Sequence, residues 1–392
     1  MRGPFSDGEN RHVPLPLGLT EDVLAAAMSE PDPESLAAAS RMRTRFSPEL
    51  AAAALTQAAL RRQAKTKFGD AAKEMFFTRA GLEQATRPEV AAYHASRFLA
   101  AGVRRVVDLG CGIGSDSLAF ASAGLEVIAV DVDPVTAAVA QANLADRAQV
   151  FCADASQVAE QLITPGVGVF CDPARRNDHG RVWRVEDFMP GWSFVLGLLD
   201  GDRPAGIKLG PGLPRAFIPD SVEAEWITDR GETVEVGLWA GNGSSPGRRS
   251  ALIMPDARLT VIGAPPLPVR DLGRYIYEPA GAVIRAGALP ELGQQLGAGL
   301  LHAQVAYLTN DQLGSTPFAT AFEVRQRLPF HLKALRTWIR EAQIGVLEIK
   351  KRGVDIDPAD LRRRLRLAGS KTATLVISPT PKGVAATVVE RV

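Results

Sequence analysis

A glycine-rich stretch at residues 105–117, RVVDLGCGIGSDS, has the composition of a loop that binds a cofactor. A β-branched run brings Asp108 to the end of a predicted strand, and Gly110, Gly112 and Gly114 follow before a predicted helix. Glycines let the backbone turn sharply and approach a ligand closely, and the free N–H groups at a helix start bind polar groups. The G-x-G-x-G spacing differs from the G-x-G-x-x-G of a dinucleotide site, so it favours a cofactor other than NAD.

Two further acidic residues follow the next two predicted strands. Asp131 ends VIAVD, about 20 residues after Gly110, where a carboxylate can accept both hydroxyls of a cofactor ribose. Asp154 follows VFCA, where a side chain can reach an adenine amino group. A single acid at a strand end is usually an ordinary turn residue, but Asp108, Asp131 and Asp154 follow successive strands beside one glycine loop. They indicate a ligand over the carboxyl edge of a parallel sheet.

A fourth apolar run, GVGVF, leads into CDPARR, where Asp172 and Pro173 precede Arg175 and Arg176. In a doubly wound sheet, the end of this strand borders the crevice that holds the cofactor. Asp172 can bind a substrate there, or it can be a turn residue. An arginine can stack on a base or bind a phosphate, and it can equally grip the carboxylate of a small substrate. The stretch predicts a transfer site whose substrate stays open.

Strands and helices must position these residues. The first hundred residues are predicted to be helical: Ser47 and Pro48 suit an N-cap and a first helical residue, and Thr86 with Glu89 has the pattern of a capping box. From about residue 104, short β-branched runs alternate with helices, which predicts an α/β fold with a Rossmann-like, doubly wound sheet. Residues 224–241 predict a hairpin. After a proline-rich linker at 263–271, we expect helices and a short α/β unit.

Three segments together resemble the class I S-adenosylmethionine-dependent methyltransferases: DLGCGIG, VIAVDVDPVTAAVAQANL and FCADA. The resemblance implies S-adenosyl-L-methionine as the cofactor, with the three loop glycines near its methionine part. It implies that Asp131 contacts the ribose, that Asp154 contacts the adenine, and that Asp108 orients the loop or the ammonium of the cofactor.

The CDPARR stretch partly matches a pattern of one methyltransferase group. Enzymes that modify exocyclic amino nitrogens of bases commonly carry Asp/Asn-Pro-Pro-aromatic at this strand end. Asp172 and Pro173 match, which implies that the carboxylate and the proline carbonyl hold the amino hydrogens. Ala174 and Arg175 replace the second proline and the aromatic residue. This departure leaves the methyl acceptor open.

A longer resemblance runs from about Lys67 to the C-terminus. FFTRAGLEQATRPEVAAYHASRF, CDPARR, IKLGPG and LEIKKRGVDIDPADLRRRLRLAG are similar to bacterial class I methyltransferases that end in a THUMP-like domain, sometimes compared with trimethylguanosine synthases. This family implies an RNA acceptor, commonly tRNA. With the composition changes, it predicts a helical N-terminal domain at 1–100, an S-adenosylmethionine-dependent methyltransferase domain at 101–262 and a C-terminal region at 263–392 with a small α/β THUMP-like domain.

Charge along the chain supports an RNA partner through the C-terminal region. Thirteen lysines and arginines stand against five acidic residues between Arg325 and Lys371, in a chain whose net charge is +1. Concentrated positive charge is typical of a surface that binds phosphates, although basic residues are also ordinary on a solvated helix face.

The remaining features restrict the class of protein. Three cysteines give no disulfide framework, and no Cys/His cluster has metal-ligand spacing. No apolar run is long enough to span a membrane, and the N-terminus does not resemble a signal peptide, so we expect a soluble cytoplasmic protein. The segment from Phe76 to Gln84 can close over the cofactor or stack on a flipped base, or it can pack the helices against the sheet.

Three functions follow from these patterns. The first is a methyltransferase that modifies a base nitrogen of RNA (tRNA or rRNA), with Asp172 and Pro173 orienting the amino group and Arg175 holding the nucleotide. The second is a small-molecule methyltransferase that grips an acidic substrate through Arg175 and Arg176. The third is a non-catalytic protein that binds S-adenosylmethionine and RNA. The sequence does not indicate an oligomeric state.

Overall fold

The computed structural model describes residues 18–175 and 187–392. These residues form two compact units. The first unit takes in the described residues up to Leu209, together with Leu213–Glu223 and Gly237–Gly247. The second comprises Gly210–Gly212, Ala224–Val236 and Arg248–Val392. The domain boundaries near residues 100 and 262 stay a prediction.

Helices precede the sheet, as predicted. They are α1 (Glu21–Ser29), α2 (Leu36–Arg43), α3 (Pro48–Phe68), α4 (Arg79–Gln84) and α5 (Pro88–Ala100). The start of α3 has the predicted signals: the Ser47 side chain accepts a hydrogen bond from the Leu50 N–H, and Pro48 is the first helical residue. A cap of this type satisfies one of the N–H groups that a helix start leaves unpaired.

The predicted capping box at α5 is wrong. Arg87, not Thr86, is the N-cap residue, and no side chain caps the helix. The Thr86 hydroxyl instead donates to the buried carboxylate of Asp116, with an oxygen–oxygen distance of 2.5 Å. A buried carboxylate needs hydrogen-bond donors more than a solvated helix end does, so the tertiary contact prevails over the local one.

The first unit contains a parallel sheet. Its elements are β1 (Arg105–Leu109), α6 (Ser115–Ser122), β2 (Glu126–Asp131), α7 (Pro134–Leu144), β3 (Gln149–Cys152), α8 (Ala155–Leu162), β4 (Val167–Cys171), the short antiparallel pair β5 (Ala174–Arg175) and β6 (Phe188–Met189), α9 (Trp192–Gly197) and β7 (Ala205–Leu209). The five longer strands run parallel in the order β7-β4-β1-β2-β3. The Rossmann-like prediction is therefore confirmed.

The strand register brings the carboxyl ends of β1, β2 and β4 level with one another. Leu109 of β1 lies opposite Val130 of β2 and Cys171 of β4. The next residues along these strands are Gly110, Asp131 and Asp172. Because parallel strands end at the same edge, the glycine loop and both carboxylates meet there.

A cluster of aromatic side chains packs with Val106, Val127 and Phe170 of the parallel sheet. Phe98, Phe120, Phe170 and Trp239 are buried, and their ring centroids lie 5.3–6.4 Å apart in edge-to-face pairs. Edge-to-face packing of this kind stabilises a core beyond the burial of apolar area. The cluster fixes α5 and α6 to the sheet.

The predicted hairpin is observed, and two further strands follow it. The four strands are β8 (Glu223–Asp229), β9 (Glu232–Ala240), β10 (Arg249–Ile253) and β11 (Ala257–Thr260). Arg230 and Gly231 form the turn with φ values of 50° and 82°. Within the second unit, β10 pairs parallel with β8 and antiparallel with β11.

The rest of the second unit has more strands than predicted. It contains β12 (Tyr275–Pro279), α10 (Gly281–Ala286), α11 (Leu289–Leu296), β13 (Gly299–His302), β14 (Val305–Asn310), β15 (Ala319–Pro329), α12 (Leu332–Ala342), β16 (Ile344–Lys351), α13 (Pro358–Leu365), β17 (Lys371–Thr380) and β18 (Gly383–Arg391). Seven of these strands form one mixed sheet in the order β13-β14-β12-β15-β18-β17-β16. The predicted α/β unit corresponds only to β16, α13 and β17.

Two kinds of feature are absent from residues 18–175 and 187–392. No helix within these ranges combines the length and apolar character that crossing a membrane requires. The same residues bring together no set of three or more His, Cys, Asp or Glu side chains that could hold a metal ion.

Candidate functional site at the carboxyl edge of the sheet

The glycine loop lies against the backbone of Asp172. Gly110, Gly112 and Gly114 have φ values of 82°, 56° and 83°, the left-handed region that favours glycine. The Asp172 N–H donates to the Leu109 carbonyl, with a nitrogen–oxygen distance of 3.1 Å. A Cβ on Gly110 would lie 2.7 Å from the Asp172 carbonyl oxygen. The predicted cofactor loop and the predicted transfer residue are therefore adjacent.

Asp131 contacts the glycine loop through its side chain. One carboxylate oxygen accepts from the Gly112 N–H at 3.0 Å, and the other accepts from the Asp133 N–H at 2.9 Å. Burial raises the pKa of Asp131, while these backbone hydrogen bonds act in the opposite direction. The side chain lies at the end of β2, where the sequence places it; its contact with a ribose stays a prediction.

Asp108 is buried beneath the loop. Its Oδ2 accepts from the Ser117 hydroxyl at 2.5 Å, and its Oδ1 has no hydrogen-bond partner among the described residues. Burial raises the pKa of Asp108 to about 8, and the nearby charge of Asp116 contributes to the same rise. A buried acceptor without a donor fits a ligand that brings one, such as the ammonium of an amino acid.

Asp154 has a local role in the structure. It is the N-cap of α8, and its Oδ1 accepts from the backbone N–H and the hydroxyl of Ser156 at 2.8 and 2.7 Å. A contact between this side chain and an adenine amino group stays a prediction.

Asp172 and Pro173 follow β4 directly, and the Asp172 carboxylate forms an ion pair with Lys208 of β7. The side chains of Asp172 and Lys208 are 32% and 12% exposed, so the carboxylate borders solvent while the ammonium is almost covered. The predicted role of Arg175 concerns a side chain outside the described residues, and Arg176 lies outside them entirely.

The sequence did not indicate a network of buried polar residues behind Asp172. Lys208 donates to the Thr86 hydroxyl at 3.0 Å, and Asp116 accepts from both Thr86 and His94, the latter at 2.8 Å. One signal was present: Lys208 is a charged residue inside the apolar strand AGIKL, where an unpaired charge is costly.

The segment before the glycine loop is held by packing and hydrogen bonds. Phe77 is buried against Phe68, with ring centroids 5.6 Å apart. The Asn143 amide donates to the backbone carbonyls of Phe76 and Ile113, at 3.0 and 2.8 Å. These contacts match the packing interpretation of this segment.

A separate cationic groove lies in the second unit. Its cavity, of about 720 Å³, is lined by α12 and by the residues around the end of α13. The charged residues among its described lining are all basic: Lys333, Arg336, Arg340 and Arg366. The first three lie at positions i, i+3 and i+7 of α12 and so share one helix face. We call this surface the α12–α13 groove.

The raised pKa of Asp108 predicts how stability depends on pH. An Asp in an unfolded chain has a pKa near 4, so the folded protein binds the Asp108 proton more tightly. The contribution of Asp108 to the free energy of unfolding should fall as pH rises from about 4 to about 8. Asp108→Asn carries no such proton and can still accept from Ser117. Urea unfolding of both proteins at about pH 5, 7 and 9 should show that the free energy of unfolding of the variant increases relative to that of wild type as pH rises. A constant difference would contradict the raised pKa.

Comparison with known proteins agrees with the geometry. Family models match a methyltransferase domain at residues 106–164, a THUMP domain-like region at 319–391 and a domain of unknown function at 21–64. The chain is 34% identical over 329 residues to an uncharacterized S-adenosylmethionine-dependent methyltransferase of Mycobacterium tuberculosis, found in strains CDC 1551 and H37Rv. This alignment covers 81% of the chain and 90% of the relative.

The fold also has a counterpart among solved structures. A crystal structure of a "putative methyltransferase" from Porphyromonas gingivalis W83 aligns over 95% of this chain and 98% of that one, with a TM-score of 0.69 and 20% identity. This likeness confirms the fold class. With the relatives from M. tuberculosis, the family models and the glycine loop beside Asp131, it establishes that the chain belongs to the S-adenosylmethionine-dependent methyltransferases, with S-adenosyl-L-methionine as cofactor and a THUMP-like domain at its C-terminal end.

Proposed function

We propose that the protein transfers the methyl group of S-adenosylmethionine to a base nitrogen of RNA, either tRNA or rRNA. The observation that carries this proposal is the position of Asp172-Pro173 against the glycine loop, where the Asp172 carbonyl oxygen would contact a Cβ on Gly110 at 2.7 Å. A residue pair that can hold an amino group thereby lies beside the loop proposed to bind the methyl donor.

The residues of the loop suit the cofactor. Gly110, Gly112 and Gly114 would border its methionine part, Asp131 would accept from its ribose hydroxyls, and the unpaired Asp108 Oδ1 would face the donors of its amino group. Asp154 is proposed at the adenine. The cofactor supplies a methyl group on a cationic sulfur, which is already electrophilic, so the protein has mainly to position the acceptor.

The chain's own part in the reaction is to orient the acceptor nitrogen. We propose that the Asp172 carboxylate and the Pro173 carbonyl accept hydrogen bonds from an exocyclic amine. Holding both N–H bonds turns the nitrogen lone pair toward the methyl donor. The ring of Pro173 fixes its φ, which limits the motion of that carbonyl. Arg175 is proposed to hold the nucleotide.

The THUMP-like region supports RNA as the acceptor. The α12–α13 groove brings four basic side chains together, and its apolar floor includes Ile339 and Leu365. Cations bind the phosphates of a nucleic acid, and an apolar floor suits the face of an unpaired base. We propose that the basic C-terminal region at 263–392 docks RNA, while 1–100 and 101–262 form the helical and methyltransferase domains.

Asp172→Ala tests the transfer site. Alanine removes both oxygens that would accept from the amine and keeps the backbone of the strand end, so kcat should fall on the order of 10²-fold while cofactor affinity is unchanged. Transfer of label from S-adenosylmethionine into total cellular RNA measures the rate, and equilibrium titration measures the cofactor Kd. Asp70→Ala is a matched control, because Asp70 is an exposed acid paired only with Lys73 among the contacts described.

Three outcomes would overturn parts of the proposal. Equal rates for Asp172→Ala and wild type would remove Asp172 from the transfer site. Label only in the metabolite fraction, with negligible RNA binding at low salt, would favour a small acidic substrate gripped by Arg175 and Arg176. Tight binding of cofactor and RNA without transfer would favour a non-catalytic role. Mass spectrometry of nucleosides from a deletion strain and its parent would identify the modified nucleotide.

A further inference from the structure

Lys208 is a lysine in an otherwise apolar strand, and its ammonium is surrounded by acceptors. The Nζ atom contacts the Asp172 carboxylate, lies 3.0 Å from the Thr86 hydroxyl and lies 3.4 Å from the Gln84 carbonyl. An ammonium has three N–H bonds, so each of these acceptors can take one. A covered charge needs this degree of pairing, because its desolvation would otherwise be costly.

Thr86 links Lys208 to a rigid part of the molecule. Its hydroxyl donates to Asp116 at 2.5 Å, and its carbonyl accepts from the Ser115 hydroxyl at 2.8 Å. Ser115 and Asp116 are the first residues of α6, which begins directly after the glycine loop. The connector between α4 and α5, residues 85–87, is thereby tied to the loop that borders the cofactor site.

Asp116 is itself firmly held. Its Oδ1 lies 2.8 Å from the His94 Nδ1, and both side chains are buried. Burial alone would raise the pKa of Asp116, but the hydrogen bond and charge of His94, together with Lys208 and Thr86, lower it overall. Asp116 is therefore a fixed anion that anchors Thr86.

A second lysine holds the same part of the chain. Lys67 of α3 donates to the carbonyls of Leu82 and Glu83, with nitrogen–oxygen distances of 2.7 and 3.0 Å. Burial lowers the pKa of Lys67 to about 8, and the nearby charges of Lys208 and Arg87 add to this effect. Two lysines from different elements, α3 and β7, thus anchor the last residues of α4 and the connector.

These contacts determine which groups orient the Asp172 side chain. Its backbone N–H donates to the Leu109 carbonyl, and its own carbonyl oxygen lies close to Gly110. Its carboxylate is held by Lys208, whose own position depends on Thr86 and Gln84. We propose that Lys208 is a positioning residue for methyl transfer, and that through it the N-terminal helical region sets the orientation of the Asp172 carboxylate. This inference rests on the proposed role of Asp172.

Lys208 acts in this proposal through Asp172 and not on the substrate. Its three N–H bonds point to three protein acceptors, which already match the number of its donors. Loss of the ammonium would leave Asp172 in place along the backbone but would remove the ion pair that orients its carboxylate. A displacement of about 1 Å of a positioned group can cost on the order of 10²-fold in rate.

The direct test is Lys208→Met in the full-length protein, which keeps the aliphatic stem and removes the ammonium. We expect kcat for label transfer into RNA to fall at least about 10-fold, with the RNA KM and the cofactor Kd within about twofold of wild type. Lys73→Met is the matched control, because Lys73 forms an exposed ion pair with Asp70 in the same unit, and it should leave all three constants unchanged.

A double-mutant cycle separates positioning from a merely structural role. If Lys208 acts through Asp172, Lys208→Met should change the rate less than about threefold in an Asp172→Ala background. Effects that multiply in the double variant would overturn the inference. So would a Lys208→Met protein as active as wild type while Asp172→Ala is impaired, and that result would leave the proposed function intact.

Two further measurements keep the test decisive. If Asp172→Ala transfers label as well as wild type, both the proposed function and this inference fail. If Lys208→Met does not fold, judged by its thermal unfolding and cofactor binding, Thr86→Val takes its place, because it removes the hydroxyl that accepts from Lys208 with little change of volume. It should lower kcat in the same direction at unchanged KM; an unchanged kcat would overturn the inference.

Discussion

Replacing Gly110 with alanine should abolish methyl transfer and lower cofactor binding below detection. Two effects act at this position. The φ of 82° places a residue with a Cβ in the left-handed region, which costs about 1–2 kcal/mol. The new Cβ would also lie 2.7 Å from the Asp172 carbonyl oxygen, a backbone atom that cannot rotate away as a side chain can. The loop, the end of β4 or both must move, and the proposed cofactor-binding loop and proposed transfer residue Asp172 move with them.

Gly124→Ala separates these two effects. Gly124 follows α6 and has a φ of 86°, close to that of Gly110, yet a Cβ there meets no atom within 4 Å. Both variants therefore bear a similar backbone cost, and only Gly110→Ala adds the collision. Cofactor titration and label transfer should be near wild type for Gly124→Ala and lost for Gly110→Ala, with thermal unfolding as a check on folding. Similar losses in the two variants would show that φ strain, and not the approach to Asp172, makes Gly110 necessary.

The glycine loop and the sheet could be predicted from sequence because their signals are local. Each strand of the first unit is a short apolar run, and the residues that matter follow it directly, as Asp131 follows VIAV. Parallel strands end at one edge, so local order along the chain is enough to place the loop, Asp131 and Asp172 together. The sheet topology therefore brings together residues that are far apart along the chain.

The network behind Asp172 left one local signal, the charged Lys208 in an apolar strand, and that signal does not identify the residues that Lys208 contacts. Lys208 and Thr86 are 122 positions apart along the chain, and their contact depends on how α4 and α5 pack against the sheet. Thr86 shows the difficulty most clearly: its spacing from Glu89 matched a capping box, while its hydroxyl is used by a carboxylate 30 positions away. Tertiary contacts decide such cases, and one sequence does not reveal them.

Several strands of the second unit, β12 to β15 and β18, were missed for a different reason. In β15, only Phe322 is buried, and the remaining residues are partly or fully exposed. A strand of this kind lacks the alternation of apolar and polar residues by which strands are recognised. For the basic segment from Arg325 to Lys371, the sequence predicts helices and a short α/β unit. In the structure it spans part of a seven-stranded sheet, and α12 and α13 line the groove.

RNA affinity should depend on the basic residues of the α12–α13 groove. Charge reversal at three lining residues, Lys333→Glu, Arg340→Glu and Arg366→Glu together, should weaken RNA binding on the order of 10³-fold near 0.1 M salt. Each lost phosphate contact costs about 1 kcal/mol under these conditions, and the new carboxylates add repulsion. Arg336 is left unchanged, because its guanidinium donates to the Arg364 carbonyl at 2.7 Å and so supports the end of α13.

A matched triple variant tests whether the groove or total charge is responsible. Arg325→Glu, Arg363→Glu and Lys382→Glu make the same change in net charge outside the groove lining, at residues that pair with Glu390, Asp360 and Asp271. Titration of full-length protein with unfractionated tRNA over a range of salt concentrations gives the affinity and its salt dependence.

In the groove variant, the magnitude of the slope of log K against log salt should fall by about two, because each phosphate contact to a single strand contributes about 0.7. In the control variant this magnitude should fall by less than about one. Neither variant should alter the cofactor Kd, because the glycine loop belongs to the first unit and the groove to the second. Equal loss of affinity in both variants would mean that RNA responds to the overall charge of this region. In that case the groove would have no particular part in docking, even if methyl transfer to RNA itself were observed.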